Sequence, residues 1–332
     1  MERVSRLVYS GEAHRAGYTG KGVTAAVIDT GIGLHPDIPG NRIAAFRDFI
    51  HLKQQPYDDS GHGTHVCGIL GGSGLLDMRR QGIAPDCSFI VLKALNREGD
   101  GEPGAVTAAL TWILENRQKY AIRVVNLSFG AVCDEDDRDY IRIMNVIHKL
   151  WDAGVCVVGS AGNKGPARGS ITFPGCCEEV ITVGSAEQHM ISGMYSGRGP
   201  VRSGIMKPDI VAPAGNISSL SSMLLERGER IIRYKKYFGG SSQALWTEEQ
   251  WKELLERKQL REQLKAIGYT KKSGTSMSAP IVAGAICLLL QKEPELSPEE
   301  VRLRLCRSAT SQGRPKEQQG CGIINLQKLL GC

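Results

Sequence analysis

The sequence predicts an α/β fold of three layers, with a mostly parallel central sheet and helices on both faces. Five apolar runs of strand length lack the polar alternation of a half-exposed sheet, which is typical of buried parallel strands: 23–28, 89–92, 123–127, 155–158 and 180–183. Segments of helical length at about 103–119 and 137–153 lie between them, and their apolar residues recur three or four positions apart. This alternation indicates right-handed crossover connections.

Two further helices are predicted near the end of the chain, at about 275–291 and 297–306. The second begins with Ser297, Pro298 and Glu300, which supply an N-cap, a proline at the first helical position and a capping-box glutamate. With 332 residues and 41% hydrophobic side chains, the chain is long enough for one large core. We therefore expect a single domain over 1–332, with a basic, helical insertion at about 218–272.

Composition excludes several classes of protein. No window has the length of apolar chain that a membrane span needs, and the first residues lack the apolar stretch of an export signal, which predicts a cytoplasmic protein. The ten cysteines are scattered, which predicts mostly reduced thiols. Of the net charge of +6, residues 221–272 carry +5, with twelve Lys and Arg against seven Asp and Glu. Charge therefore gives no support to nucleic-acid binding by the rest of the chain, and no nucleic-acid partner is predicted.

Polar and glycine-rich segments follow three of the predicted strands directly. Asp29 comes after the first strand, 128–130 after the third and 160–163 after the fourth. Because functional loops of an open parallel sheet collect at the carboxyl ends of its strands, we expect these segments to meet at one edge.

Three motifs carry the chemistry: Asp29-Thr30-Gly31, His62-Gly63-Thr64-His65 and Gly274-Thr275-Ser276-Met277-Ser278. In this order, Asp then His then Ser, they resemble the three signatures of the subtilase family of serine proteases, over about residues 20–305 without the insertion. The order differs from that of α/β-hydrolases, which run Ser, Asp or Glu, His. Only 28 residues precede Asp29, so the chain resembles the intracellular, prodomain-less members.

The resemblance implies a role for each residue. A serine hydroxyl is a weak nucleophile, so a histidine must remove its proton while a carboxylate holds the imidazole in the right tautomer. Ser276 is the expected nucleophile, His62 the base and Asp29 the carboxylate. Asn163, in Ser-Ala-Gly-Asn, resembles the family's oxyanion-binding asparagine. His35 and His65 are competing histidines by residue type, but both match structural positions of the family.

Two edge segments of the family bind the extended substrate backbone, and here they resemble Gly99-Asp100-Gly101 and Ser128-Phe129-Gly130. The first specificity pocket would lie between the latter and 161–163, which includes Ala161 and Gly162. Residues 172–174 resemble the floor of this pocket, although their connection to Asn163 is about two residues shorter than the family pattern.

The predicted function is a serine endopeptidase that acts on polypeptides and needs no cofactor for its chemistry. Family members commonly bind structural calcium, but no complete set of oxygen ligands can be aligned here, so the metal ligands stay unknown. A homo-oligomer is compatible with the sequence. The alternatives are a pseudoprotease that binds peptides or partners and a non-peptidase acyl hydrolase. For the insertion, a surface helix packed on the body competes with a lid or partner-docking element and with lipid or nucleic-acid contact.

Overall fold

A computed structural model describes residues 1–132, 137–187, 195–222 and 246–332. Its helices are α1 (Glu2–Val8), α2 (Ser10–Arg15), α3 (His62–Gly71), α4 (Pro103–Asn116), α5 (Arg138–Asp152), α6 (Glu248–Leu255), α7 (Lys258–Ile267), α8 (Thr275–Lys292), α9 (Pro298–Ser308), α10 (Lys316–Gln319) and α11 (Leu326–Leu330). Its strands are β1 (Thr24–Asp29), β2 (Ile43–Asp48), β3 (Ser88–Lys93), β4 (Ile122–Leu127), β5 (Cys156–Ser160), β6 (Val180–Ser185), β7 (Ile210–Ala212), β8 (Ile217–Leu220) and β9 (Tyr269–Lys272).

Seven of these strands form one parallel sheet in the order β2-β3-β1-β4-β5-β6-β7. Because side chains alternate across a strand, Ala25 and Val27 of β1 face one side and Ala26 and Ile28 the other. One side packs with α3 and α8 and the other with α4 and α5, so two hydrophobic cores enclose the sheet. The predicted three-layer fold is confirmed, and the five predicted strands correspond to β1, β3, β4, β5 and β6.

Helix α8 runs through the centre of one core. Its length of 18 residues and mean hydropathy of 1.3 would let it cross a membrane, but 83% of it is buried inside the fold. A core helix has the same properties, because it is surrounded by apolar side chains on every face. Among the described residues, α8 is the one helix that passes this test of length and composition.

The described part of the insertion adds structure that the sequence did not predict. Its two ends pair as an antiparallel ribbon, β8 with β9, between which α6 and α7 are placed. The predicted helical character of the insertion corresponds to α6 and α7, where the apolar residues Trp251, Leu255 and Leu264 are buried. Leu255 and Leu264 pack against Leu76 of the body. The two helices therefore cover the body, while residues 223–245 lie outside the described part of the chain.

One disulfide, between Cys306 and Cys321, is present among cysteines that were expected to be mostly reduced. It joins the end of α9 to the turn after α10. Cys67, Cys156 and Cys287 remain buried thiols, as predicted for most of the cysteines.

Candidate active site

The site lies at the carboxyl edge of the parallel sheet. Asp29 is the last residue of β1, and Asn163 follows the end of β5. Helix α8, which begins at Thr275, is held at the same edge because the Ser278 hydroxyl donates to the carbonyls of Ala212 and Pro213, at the end of β7. Asp29, Asn163 and the start of α8, which are distant in sequence, therefore lie at the carboxyl edge of the sheet.

Asp29 and His62 are joined directly. Asp29 is fully buried, and its Oδ1 lies 2.7 Å from His62 Nδ1 and also accepts from the Thr30 N–H. This bond leaves Nε2 of the ring for a proton from another group. The His62 side chain is 25% exposed, so a substrate can reach it.

Two glycines allow this approach. A Cβ at Gly63 would lie 2.2 Å from the carbonyl oxygen of Gly31, and one at Gly31 would lie 2.0 Å from that of Tyr57. Gly31 also has a φ of +114°, which side chains other than glycine rarely adopt. The glycines after Asp29 and His62 are therefore required for α3 to begin against the end of β1.

The surroundings of His62 make its imidazole bind a proton more readily than the imidazole of an ordinary histidine. Burial opposes the protonated form, but the Asp29 carboxylate and its hydrogen bond outweigh it, so the pKa of His62 is raised above its ordinary value of 6.5. The positive charge of Lys272 works in the opposite direction. Asp29 is thus the partner that stabilises the imidazolium.

Asp58, which sequence reasoning did not single out, holds the two loops of this pair together. It is 3% exposed and accepts from the Thr30 hydroxyl at 2.8 Å, from the N–H groups of Ser60, Gly61 and Thr64, and from the Thr64 hydroxyl. Thr30 follows Asp29, and the other donors lie around the start of α3. The signal in the sequence was the position of Asp58, four residues before His62, but the adjacent Asp59 gave a second candidate of the same type.

Ser276 is the second residue of α8 and is half-buried. The first N–H groups of a helix have no partner within the helix, and they favour negative charge. Asn163 Oδ1 accepts from the N–H of Thr275 at 3.0 Å and from its hydroxyl, which leaves the amide N–H₂ of Asn163 as a donor. Within the described residues no hydrogen bond joins the Ser276 hydroxyl to His62.

The predicted substrate segments follow β3 and β4, the two neighbours of β1 in the sheet. Gly99, Asp100 and Gly101 follow β3, and Asp100 and Gly101 are exposed. Ser128, Phe129 and Gly130 follow β4. On this side Asn126 donates to the Ser128 hydroxyl, and the Ser160 hydroxyl donates to the carbonyl of Phe129.

Thr172 stands between the two walls of the predicted specificity pocket. A Cβ at Gly130 or at Gly162 would lie 2.4 or 2.1 Å from its hydroxyl oxygen, and the Thr172 N–H donates to the carbonyl of Ala161. The hydroxyl oxygen is buried and has no hydrogen-bond partner among the described residues. Thr172 also lines a pocket of about 590 Å³ together with Val132, Lys164, Phe173 and other residues.

The competing histidines lie elsewhere. Both are buried, His35 bonding to the carbonyl of Gly268 and His65 to that of Ile217. Burial lowers the pKa of His65 to about 3. In the described part of the chain no group of three or more His, Cys, Asp or Glu side chains could hold a metal ion, so no ligands are assigned to the calcium that the family resemblance suggested.

Comparisons with known proteins identify the family of this chain. The family model of the subtilase family matches residues 20–323. The serine protease AprX of Bacillus subtilis (strain 168) is 34% identical over 325 residues, which are 93% of this chain and 66% of AprX. Subtilisin Savinase of Lederbergia lenta is 29% identical over 319 residues, which are 95% of this chain and 93% of that protein.

Among solved structures, Sphericase shares the fold, with a TM-score of 0.68, 23% identity and 93% of each chain covered. The family match covers nearly the whole described sheet and all three motif segments. The chain is therefore a member of the subtilase family of serine proteases.

Proposed function

We propose that this subtilase is a serine endopeptidase in which Ser276 is the nucleophile, His62 the general acid and base, and Asp29 the carboxylate that orients His62. The observation that carries the proposal is the 2.7 Å contact between Asp29 and His62, at the same edge of the sheet as the first turn of α8. A buried carboxylate fixes the proton on Nδ1, so that Nε2 can accept the proton of Ser276.

In the first step the Ser276 oxygen attacks the peptide carbonyl while His62 takes its proton. The charge that develops on the carbonyl oxygen is stabilised by the amide N–H₂ of Asn163 and the N–H of Ser276. His62 then protonates the leaving amine, and an acyl-enzyme forms. Water, deprotonated by His62, attacks this ester, and Ser276 leaves with the proton that His62 returns.

The substrates we propose are extended polypeptide segments. The segments 99–101 and 128–130 follow the two strands beside β1, and Asp100, Gly101 and Gly130 are exposed. An extended chain bound along them would form main-chain hydrogen bonds that do not depend on its side chains. Thr172, between Gly130 and Gly162, occupies space in the specificity pocket, so we expect small side chains before the cleaved bond.

A fluorophosphonate probe tests the assignment, because it reacts with a serine only when that serine is activated. We expect covalent labelling of the protein, mapped by peptide sequencing to Ser276 and lost in Ser276→Ala and His62→Ala. Cleavage of a denatured protein in preference to simple esters distinguishes an endopeptidase from an esterase. Absence of labelling would point to a binding protein without activity, and labelling of another serine would contradict the assignment of Ser276.

A further inference from the structure

A buried lysine adjoins the Asp29–His62 pair. Lys93 is the last residue of β3, lies opposite Asp29 in the register of the parallel sheet and is fully buried. Its ammonium donates to three oxygens: the carbonyl of Thr30 at 2.8 Å, that of Leu95 at 2.9 Å and the carboxylate of Asp59 at 2.6 Å. All three donors of the group are therefore used.

These bonds connect the two loops on which the pair depends. Thr30 follows Asp29 in the chain, and Asp59 precedes His62 by three residues. One ammonium therefore joins the end of β1 to the loop that begins α3. Asp58 joins the same two loops through the Thr30 hydroxyl, so the loops are held from two sides.

The position would otherwise be apolar. The four preceding residues of β3, Phe89 to Leu92, are apolar and fully buried, and burial of an ammonium group is costly unless it is fully paired. An apolar side chain of similar length would avoid that cost. A buried ion pair is weak evidence for a role in stability, but it can fix one arrangement of the chain.

We propose that Lys93 is a positioning residue of the protease, which holds the end of β1 and the loop before α3 so that Asp29 and His62 keep their hydrogen-bonded geometry. The inference rests on the proposed function of this pair. Asp59 is the ion-pair partner of Lys93, and its side chain is 27% exposed.

A second buried lysine provides a matched control. Lys207 is 1% exposed, donates to Asp209 at 2.8 Å and to the carbonyl of Val180 at 2.6 Å, and thus has a similar environment. It lies before β7, beside the first residue of β6, and so belongs to the opposite edge of the sheet from the site. Loss of either lysine removes a paired buried ammonium, but only Lys93 adjoins Asp29 and His62.

The experiment compares Lys93→Met, Lys207→Met and Asp59→Ala with the full-length wild-type chain. Peptide cleavage gives kcat and KM. The rate of inactivation by the fluorophosphonate probe reports on the reactivity of Ser276 and His62 without a peptide substrate. Thermal unfolding is measured with Ser276→Ala added to each variant to prevent autolysis. We expect Lys93→Met to lower kcat and the inactivation rate about 10²-fold, with KM unchanged, because small displacements of catalytic groups have effects of that size.

Lys207→Met should lower the melting temperature but leave kcat and the inactivation rate unchanged. Asp59→Ala removes a partly exposed partner of Lys93, so it should also lower kcat, but by less than Lys93→Met does. If Lys93→Met does not fold, the kcat of Asp59→Ala tests the inference in its place. Equal kcat values for the Lys93, Asp59 and Lys207 variants would overturn the inference, and so would a change confined to KM. An inactive, unlabelled wild-type protein would instead overturn the proposed function.

Discussion

Replacement of Asp58 by alanine should destabilise the fold strongly, because this carboxylate satisfies five donors in a buried position. Three of them, the Thr30 hydroxyl and the N–H groups of Gly61 and Thr64, lie on three different buried residues, and a fourth, the Thr64 hydroxyl, shares its buried residue with the Thr64 N–H. The N–H of Ser60 is closer to solvent, and the Thr64 hydroxyl can rotate.

The magnitude follows from the three buried donors. A buried donor left without a partner costs about 1 to 3 kcal/mol. Water can fill part of the space that the carboxylate leaves, and the cost of burying the carboxylate itself disappears. The total cost is therefore expected near the lower end of the sum over the three donors. We therefore expect Asp58→Ala to lower the free energy of unfolding by about 3 to 5 kcal/mol, which is also the usual effect of removing one partner from a buried charged network.

Urea unfolding followed by circular dichroism measures this difference, with Ser276→Ala present in every sample to prevent autolysis. The matched control is Asp48→Ala, which removes a carboxylate that is 6% exposed and accepts from three N–H groups and the Tyr57 hydroxyl at the edge of the sheet. The neutral control is Asp139→Ala, whose side chain is 52% exposed. If Asp58→Ala were no less stable than Asp139→Ala, the assignment of Asp58 as the link between the loops would be wrong.

Three further predictions concern activity. Asn163→Ala should lower kcat about 10²- to 10³-fold with little change in KM. This magnitude is the loss known for the oxyanion-hole asparagine of subtilisin. The charge of Lys272 opposes protonation of His62, so Lys272→Met should raise the pKa of His62 further. The acid limb of the kcat/KM profile should then move to higher pH. A shift to lower pH would contradict the assignment of His62 as the base. Thr172→Gly should admit larger side chains before the cleaved bond in a peptide-library assay, whereas an unchanged preference would show that Thr172 does not limit the pocket.

The sign of the pH dependence follows from the proposed role of His62 as the general base. The base must be neutral to accept a proton from Ser276, and its pKa is raised above 6.5. Activity is therefore expected to fall as the pH drops through a value above 6.5, where the imidazole becomes protonated. The charge of Lys272 keeps this value lower than Asp29 alone would set it.

Much of the fold could be predicted because buried parallel strands and amphipathic helices have local signatures. The strands β1, β3, β4, β5 and β6 are short continuous apolar runs, and α9 begins with a capping box that the structure reproduces at Ser297. By contrast β2 alternates partly exposed and buried residues at the edge of the sheet, and β8 and β9 pair only with each other. Their polar, short segments have no pattern that distinguishes them from loops.

The sequence by itself determined the family, the expected nucleophile, base and carboxylate, and the carboxyl edge of the sheet as their meeting place, because motif order and strand periodicity are written along the chain. Only the tertiary structure decided which buried polar residues hold that site. Asp58, Lys93 and Thr172 look like ordinary residues in sequence, and their roles come from partners 28 to 63 residues away or from a space between two glycines. Burial and hydrogen bonding between distant segments are properties of packing, and no local pattern encodes them.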